Sequence, residues 1–214
     1  MPGMALAALF FACASGAVAG QDEGGSASVP ALVELSRGHY LAAEAEKDKG
    51  IKLARLEKSI SAADRALKKD PDAPRPLYWR SMALLLKAEL TGGLKALGMV
   101  KDALRGLEKV SRAEPLYDDA GALRGRGKVL IDAPRWAFIG DRKEGLKLLE
   151  KAKSLAPDNL TNRLYLAQAY MKNGMRGAAL REAQSIISAP VDERRAEDDA
   201  LAKREAHKIL QGGE

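Results

Sequence analysis

Residues 160–190 read Leu-Thr-Asn-Arg-Leu-Tyr-Leu-Ala-Gln-Ala-Tyr-Met-Lys-Asn-Gly-Met-Arg-Gly-Ala-Ala-Leu-Arg-Glu-Ala-Gln-Ser-Ile-Ile-Ser-Ala-Pro. Arg163, Leu166-Ala167 and Tyr170 stand at offsets of three, four and seven. Those offsets put them on one face of a helix. Gly174 supplies a turn. Ala179, Ala183 and Ile186, spaced by four and three, then mark one face of a second helix. Pro190 ends it, because proline cannot continue the hydrogen-bond ladder. The stretch predicts a helical hairpin whose small residue, Ala167, lets the second helix approach closely.

Working outward, the second-helix pattern recurs three times upstream. It reads Ser59, Ala63, Ala66, Pro71; then Ala103, Leu107, Val110, Pro115; then Gly145, Leu149, Ala152, Pro157. Successive prolines lie 44, 42 and 33 residues apart. A first-helix pattern precedes each: Glu34, Arg37-Gly38, Leu41; Trp79, Met82-Ala83, Leu86; Leu123, Arg126-Gly127, Leu130. Gly38, Ala83 and Gly127 take the place of Ala167. A period of this length signals stacked repeat units, each too small to be stable alone.

These residues resemble the tetratricopeptide repeat, with residues 160–190 the good match. The earlier units carry extra residues between the helices, to be absorbed by lengthened helices or longer connections. The expected fold is therefore all-α, an α-solenoid of tetratricopeptide-like helical hairpins with a C-terminal capping helix. Its boundaries are a signal peptide at 1–19, a flexible linker at 20–29, the repeat domain at 30–190, and a capping helix and tail at 191–214. The last helix offers Ala196, Ala200 or Leu201, and Ile209-Leu210 as its apolar contacts. The alternative is an ordinary helical bundle, which leaves the all-α class unchanged.

Composition agrees. The 214 residues are 46% hydrophobic and 30% charged but only 5% aromatic. Alanine and straight-chain residues lose least on entering a helix. Residues 1–20 carry no charged side chain. Leu6, Leu9, Phe10 and Phe11 form a short apolar core, and Ala17-Val18-Ala19 follows. This pattern predicts an export signal cut after Ala19 and a periplasmic protein. Phe11-Ala12-Cys13 also resembles a lipobox, so lipid anchoring through Cys13 is the alternative to its removal.

Residues 131–142 interrupt the repeats. Pro134 breaks a helix, Trp136 and Phe138 follow, and Asp141 stands as a plausible N-cap for the next helix. Either Trp136 fills the gap made by the insertion or it stands exposed as a contact site. Arg124 to Pro134, Trp136, Gly140-Asp141, Lys143 to Lys151, Leu155 to Asp158 and Asn162-Arg163-Leu164 together resemble the T-component of TRAP (tripartite ATP-independent periplasmic) transporters, the TatT-like proteins. That resemblance, over roughly residues 60–190, implies cryptic tetratricopeptide-like hairpins, export and a periplasmic solute-binding protein as partner. In some members it implies homo-oligomers.

The formal net charge is +6, and residues 75–155 hold 17 Lys/Arg against 10 Asp/Glu. In tetratricopeptide stacks the first helix of each hairpin lines the concave face. By that resemblance Arg80, Leu84 and Lys87 face inward, as do Arg124, Lys128 and Ile131, and Leu164, Gln168 and Met171. The expected site is a basic groove with apolar floor patches, and Arg80, Lys87, Arg124, Lys128, Trp136 and Gln168 are its candidate partner-binding residues. Fixed cations in a cleft attract anions. The groove would take an acidic peptide, an acidic protein surface or a small organic anion. The competing reading is a solvated charged face, as for Lys101, Arg105 and Lys109, or Lys143, Lys147 and Lys151.

The chain carries two histidines, His39 and His207, and one cysteine, Cys13. That inventory excludes Ser/His/Asp and Cys/His nucleophilic sites and cysteine-based metal sites. No phosphate-binding Gly-x-x-x-x-Gly-Lys-Ser/Thr loop occurs. Gly121, Gly125 and Gly127 read as packing glycines, and Asp118-Asp119 as an N-cap and first-turn acid. The sequence predicts no cofactor, no metal, no enzyme activity and no nucleic-acid partner, since no aromatics interleave with the cations.

Overall fold

The computed structural model describes residues 27–133 and 139–212. Among these residues the chain is helical throughout, with no strand. The order is α1 (Val29–Ala45), α2 (Lys49–Lys69), α3 (Pro74–Thr91), α4 (Gly93–Ala113), α5 (Gly121–Asp132), α6 (Arg142–Leu155), α7 (Leu160–Lys172), α8 (Arg176–Ser188), a 3-10 turn at Glu193–Arg195, and α9 (Ala196–Leu210). The predicted all-α class holds. The segment 1–26, with Cys13 and the expected export signal, and Trp136 lie outside the described residues.

The helices start where the sequence supplies a cap. Asp48 accepts from Ile51 N at 2.8 Å, Asp141 from Glu144 N at 2.9 Å and Asn159 from Asn162 N at 3.0 Å. Each satisfies one of the free amides of a first turn. Pro74 opens α3, where its missing amide costs nothing. At Gly174 φ is +74°, and Met175 N returns to Tyr170 O at 2.9 Å. That left-handed step ends α7 and turns the chain into α8.

The chain divides into two compact units, residues 1–106 and 107–214. In the first, α1 and α2 form a hairpin and α3 packs on both. Leu32, Tyr40, Leu56, Tyr78 and Trp79 fill its core. Burying side chains of this size contributes roughly 1.5–3 kcal/mol each. The contact between α1 and α2 is made by Ser36 and Ser59, both fully buried. Ser36 Oγ donates to Ser59 O at 2.9 Å, and Ser59 Oγ donates to Ser36 O at 2.9 Å. Gly38, expected to hold that position, is exposed, and a Cβ there would meet nothing within 4 Å. The small residue of the first hairpin is Ser36.

In the second unit α5–α6 and α7–α8 are the hairpins, and α9 lies against α7 and α8. Alternate helices also touch: α5 meets α7, and α7 meets α9. Such second-neighbour contact is how a helical repeat makes one continuous core. Gly127 meets Gly145 closely, as predicted for a small residue there. A Cβ on Gly127 would lie 3.0 Å from Gly145 O and 2.7 Å from Leu149 Cγ. Ala167 and Ala179 are fully buried in one core cluster. Helix α9 buries Asp199, Ala202, Ala206 and Ile209, so Ala202 and Ala206 take the place expected of Ala196 and Ala200.

Candidate functional site

The candidate cations fall into three clusters. In the first unit, Arg80 and Lys87 project from α3 toward acids of α2. Arg80 Nε donates to Asp64 Oδ1 at 2.6 Å, and Lys87 Nζ donates to Glu57 Oε1 at 3.2 Å. Beside them is a shallow hollow of about 320 Å³, whose lining includes Glu57, Ser61, Asp64, Arg65 and Lys87. Both signs alternate along its wall. Leu84, expected on a groove floor, is buried.

Arg124 and Lys128 stand one turn apart on α5 but join different clusters. Arg124 belongs to a polar knot around a left-handed turn. Asp118, Asp119 and Ala120 have φ of 52°, 51° and 62°, a conformation that L-residues with a side chain adopt at a cost. The turn is held from three helices or their ends. Arg124 Nη2 donates to Asp118 Oδ2 at 2.8 Å, and its Nη1 donates to Asn162 Oδ1 at 3.0 Å. Asn162 Nδ2 donates to Asp119 O at 2.9 Å. Arg195 Nη1 and Asn159 Nδ2 donate to Asp119 Oδ2 at 2.9 and 3.0 Å. Neither aspartate caps α5, whose N-cap is the left-handed Ala120 with no side-chain cap. The expected N-cap role is therefore corrected: both carboxylates point to arginines instead. Close by, burial pushes the Asp198 carboxyl above its ordinary pKa, and repulsion from Asp199 and Asp118 adds to it against the pull of Arg124.

Lys128 instead meets Asp132 on α5, Nζ to Oδ2 at 2.6 Å, and lies 4.9 Å from the centre of the Tyr165 ring. Lys172, from the last turn of α7, binds the other oxygen of Asp132. Burial pushes the Asp132 carboxyl up, but Lys128 and Lys172 outweigh it, so its pKa lies below the ordinary value. Gln168 is half-buried on α7, while Ile131 and Leu164 are buried in cores. The sequence reasoning missed Asp132, Lys172 and Asn162. The four-residue spacing of Lys128 and Asp132 was a signal for the first.

Elsewhere in this unit Glu182 is buried, and it is matched by Arg163 Nε and Lys153 Nζ, each at 2.8 Å. Among the described residues no group of His, Cys, Asp and Glu is arranged to hold a metal ion. No described helix is long and apolar enough to cross a membrane.

No protein-family model and no curated protein matches this chain. Among solved structures it is similar to a thermophilic TPR protein from Thermus thermophilus. The identity is 18% and the TM-score 0.43, over 82% of this chain and 99% of that one.

Proposed function

We propose that this chain is an exported helical-repeat interaction module that docks a protein partner along its first helices. One observation carries the reading: alternate helices touch in both units, α1 with α3 in the first, and α5 with α7 and α7 with α9 in the second. Within each unit, adjoining helices offer a partner a continuous surface, and a repeat stack exists to present such surfaces. Arg80, Lys87, Arg124 and Lys128 lie on α3 and α5, and each is fixed by an ion pair. Cations held this way are pre-ordered for an acidic partner, which reduces the entropy lost on binding.

The finer version of the proposal is a TatT-like accessory whose partner is a periplasmic solute-binding protein. Its support is the run from Arg124 to Leu164 that resembles that family. Export through residues 1–19 belongs to the same proposal. The test is affinity capture of the tagged mature chain from its native envelope fraction, followed by mass spectrometry. A stoichiometric solute-binding protein supports the finer version. Another envelope protein leaves a general scaffold and removes the transporter link. Capture of the chain alone discards protein docking and favours a carried small anion or lipid. Lys87→Glu in the first unit or Lys128→Glu in the second should weaken a captured partner at least tenfold at low salt, and unchanged binding by both variants would sink the basic surface.

A further inference from the structure

The Asp132 carboxylate is gripped by two ammonium groups from different helices. Lys128 Nζ holds Oδ2 at 2.6 Å, and Lys172 Nζ holds Oδ1. A third cation reaches the same corner. Arg142, in the first turn of α6, donates from Nη1 to the Lys172 carbonyl at 3.0 Å. Among the described residues Arg142 forms no ion pair, and Lys172 pairs with Asp132 alone. Lys172 and Arg142 therefore bring more positive charge than Asp132 alone cancels. Lys172 and Arg142 are both exposed, so this charge is open to solvent.

We propose that this corner of the second unit, built by Lys128, Lys172 and Arg142, binds a ligand carboxylate, and that Asp132 fills the place of that carboxylate when no ligand is bound. The inference narrows the interaction reading above to one chemistry and one place. An incoming carboxylate meets ammonium groups already oriented for an oxygen pair. A second carboxylate on the same ligand can use the guanidinium fork of Arg142, whose planar geometry suits two oxygens. The Tyr165 ring, beneath Lys128, offers an apolar wall for the carbon chain between them. Asp132 acts as an internal competitor, so its removal should strengthen binding rather than weaken it. Loss of any carboxylate raises the net charge and strengthens polyanions in general at low salt, so the gain is assigned to this corner by its reversal when Arg142 is removed.

The test is titration calorimetry of the full chain at low salt with two probes, succinate and a hexaglutamate peptide. Asp132→Asn should bind one of them at least tenfold more tightly than the native chain, with circular dichroism confirming its fold. Tighter succinate binding assigns the site to a free dicarboxylic acid, and tighter peptide binding assigns it to an acidic segment of a partner. Arg142→Gln added to Asp132→Asn should reverse at least fivefold of the gain. Failure of Asp132→Asn to bind either probe more tightly overturns the proposal. Should that variant not fold, Arg142→Gln in the native chain decides: unchanged or absent binding of both probes overturns it as well. Envelope capture of a protein partner by a chain that fails here would leave the docking reading standing, so the two failures are distinguishable.

Discussion

The two units bring paired helices together with different contacts. In the first, α1, α2 and α3 run 17, 21 and 18 residues, and the contact of α1 with α2 is a pair of serines that exchange hydrogen bonds. In the second, α5 to α9 run only 12–15 residues, Gly127 faces Gly145 across α5–α6, and alanines share the core cluster of α7, α8 and α9. A serine pair sets the backbones further apart than a glycine pair and must satisfy two hydroxyls. The extra residues of the early repeats have thus gone into helix length. Those of the α5–α6 unit have gone into its connection, residues 133–141. The difference teaches that one repeat pattern tolerates two packings, provided the small residue is matched across the pair.

Four substitutions break or sharpen this comparison. Asn162→Ala comes first. It strips a fully buried amide that serves Arg124 and the Asp119 carbonyl at once. Leaving such groups unmatched costs about 3 kcal/mol. At roughly 2–4 °C per kcal/mol for a chain of this size, the melting temperature should fall about 10 °C. A fall under about 2 °C would show that the left-handed turn holds itself.

Gly127→Ala and Gly38→Ala apply one change to the two units with opposite expected signs. At 127 the new methyl must displace Leu149, and overpacking of this kind costs about 1–3 kcal/mol. At 38 the methyl meets open space, and replacing an exposed mid-helix glycine stabilises by roughly 0.5–1 kcal/mol. Denaturant midpoints measure both. Equal signs would erase the contrast between the hairpins.

Asp198→Asn has the smallest effect. The Asp198 carboxyl has its folded pKa raised above the unfolded value of 3.8. The charged form is therefore disfavoured in the fold, and the resulting destabilisation is present above the folded pKa and relieved as pH falls through it. Removing the charge should raise stability near neutral pH by a few tenths of a kcal/mol, with the gain vanishing below about pH 3. Thermal melts of both chains from acid to neutral pH should converge at the acid end. Curves that stay parallel would mean that Asp198 does not feel Asp199 and Asp118.

The repeat was legible because helical periodicity and caps are local. Asp141 and Asn159 cap the helices they precede, Gly174 turns a hairpin, and Ala83, Gly127 and Ala167 are buried where the pattern puts small residues. Gly38 misled because a glycine two residues from the true contact satisfies the same loose template, and only the partner helix reveals that Ser36 faces it. Asp118-Asp119 misled for a similar reason. Two acids before a helix suit a cap, but Arg124 and Arg195 draw both side chains away.

The candidate site was less legible than the fold. Lys128 was named without Asp132 and Lys172, and Arg124 without the Asp118 and Asn162 that its guanidinium holds. The sequence by itself determined where helices begin and end, because a cap or a proline acts on amides within a few residues. It also determined that the helices pair, because an apolar stripe must be covered. Which polar group meets which was decided only by the tertiary structure. Asp64 and Arg80 are 16 residues apart, Arg124 and Asn162 are 38, Asp132 and Lys172 are 40, and Asp119 and Arg195 are 76. Ion pairs depend on distances of a few ångströms between side chains of different helices, and the period of any one helix carries no measure of that distance.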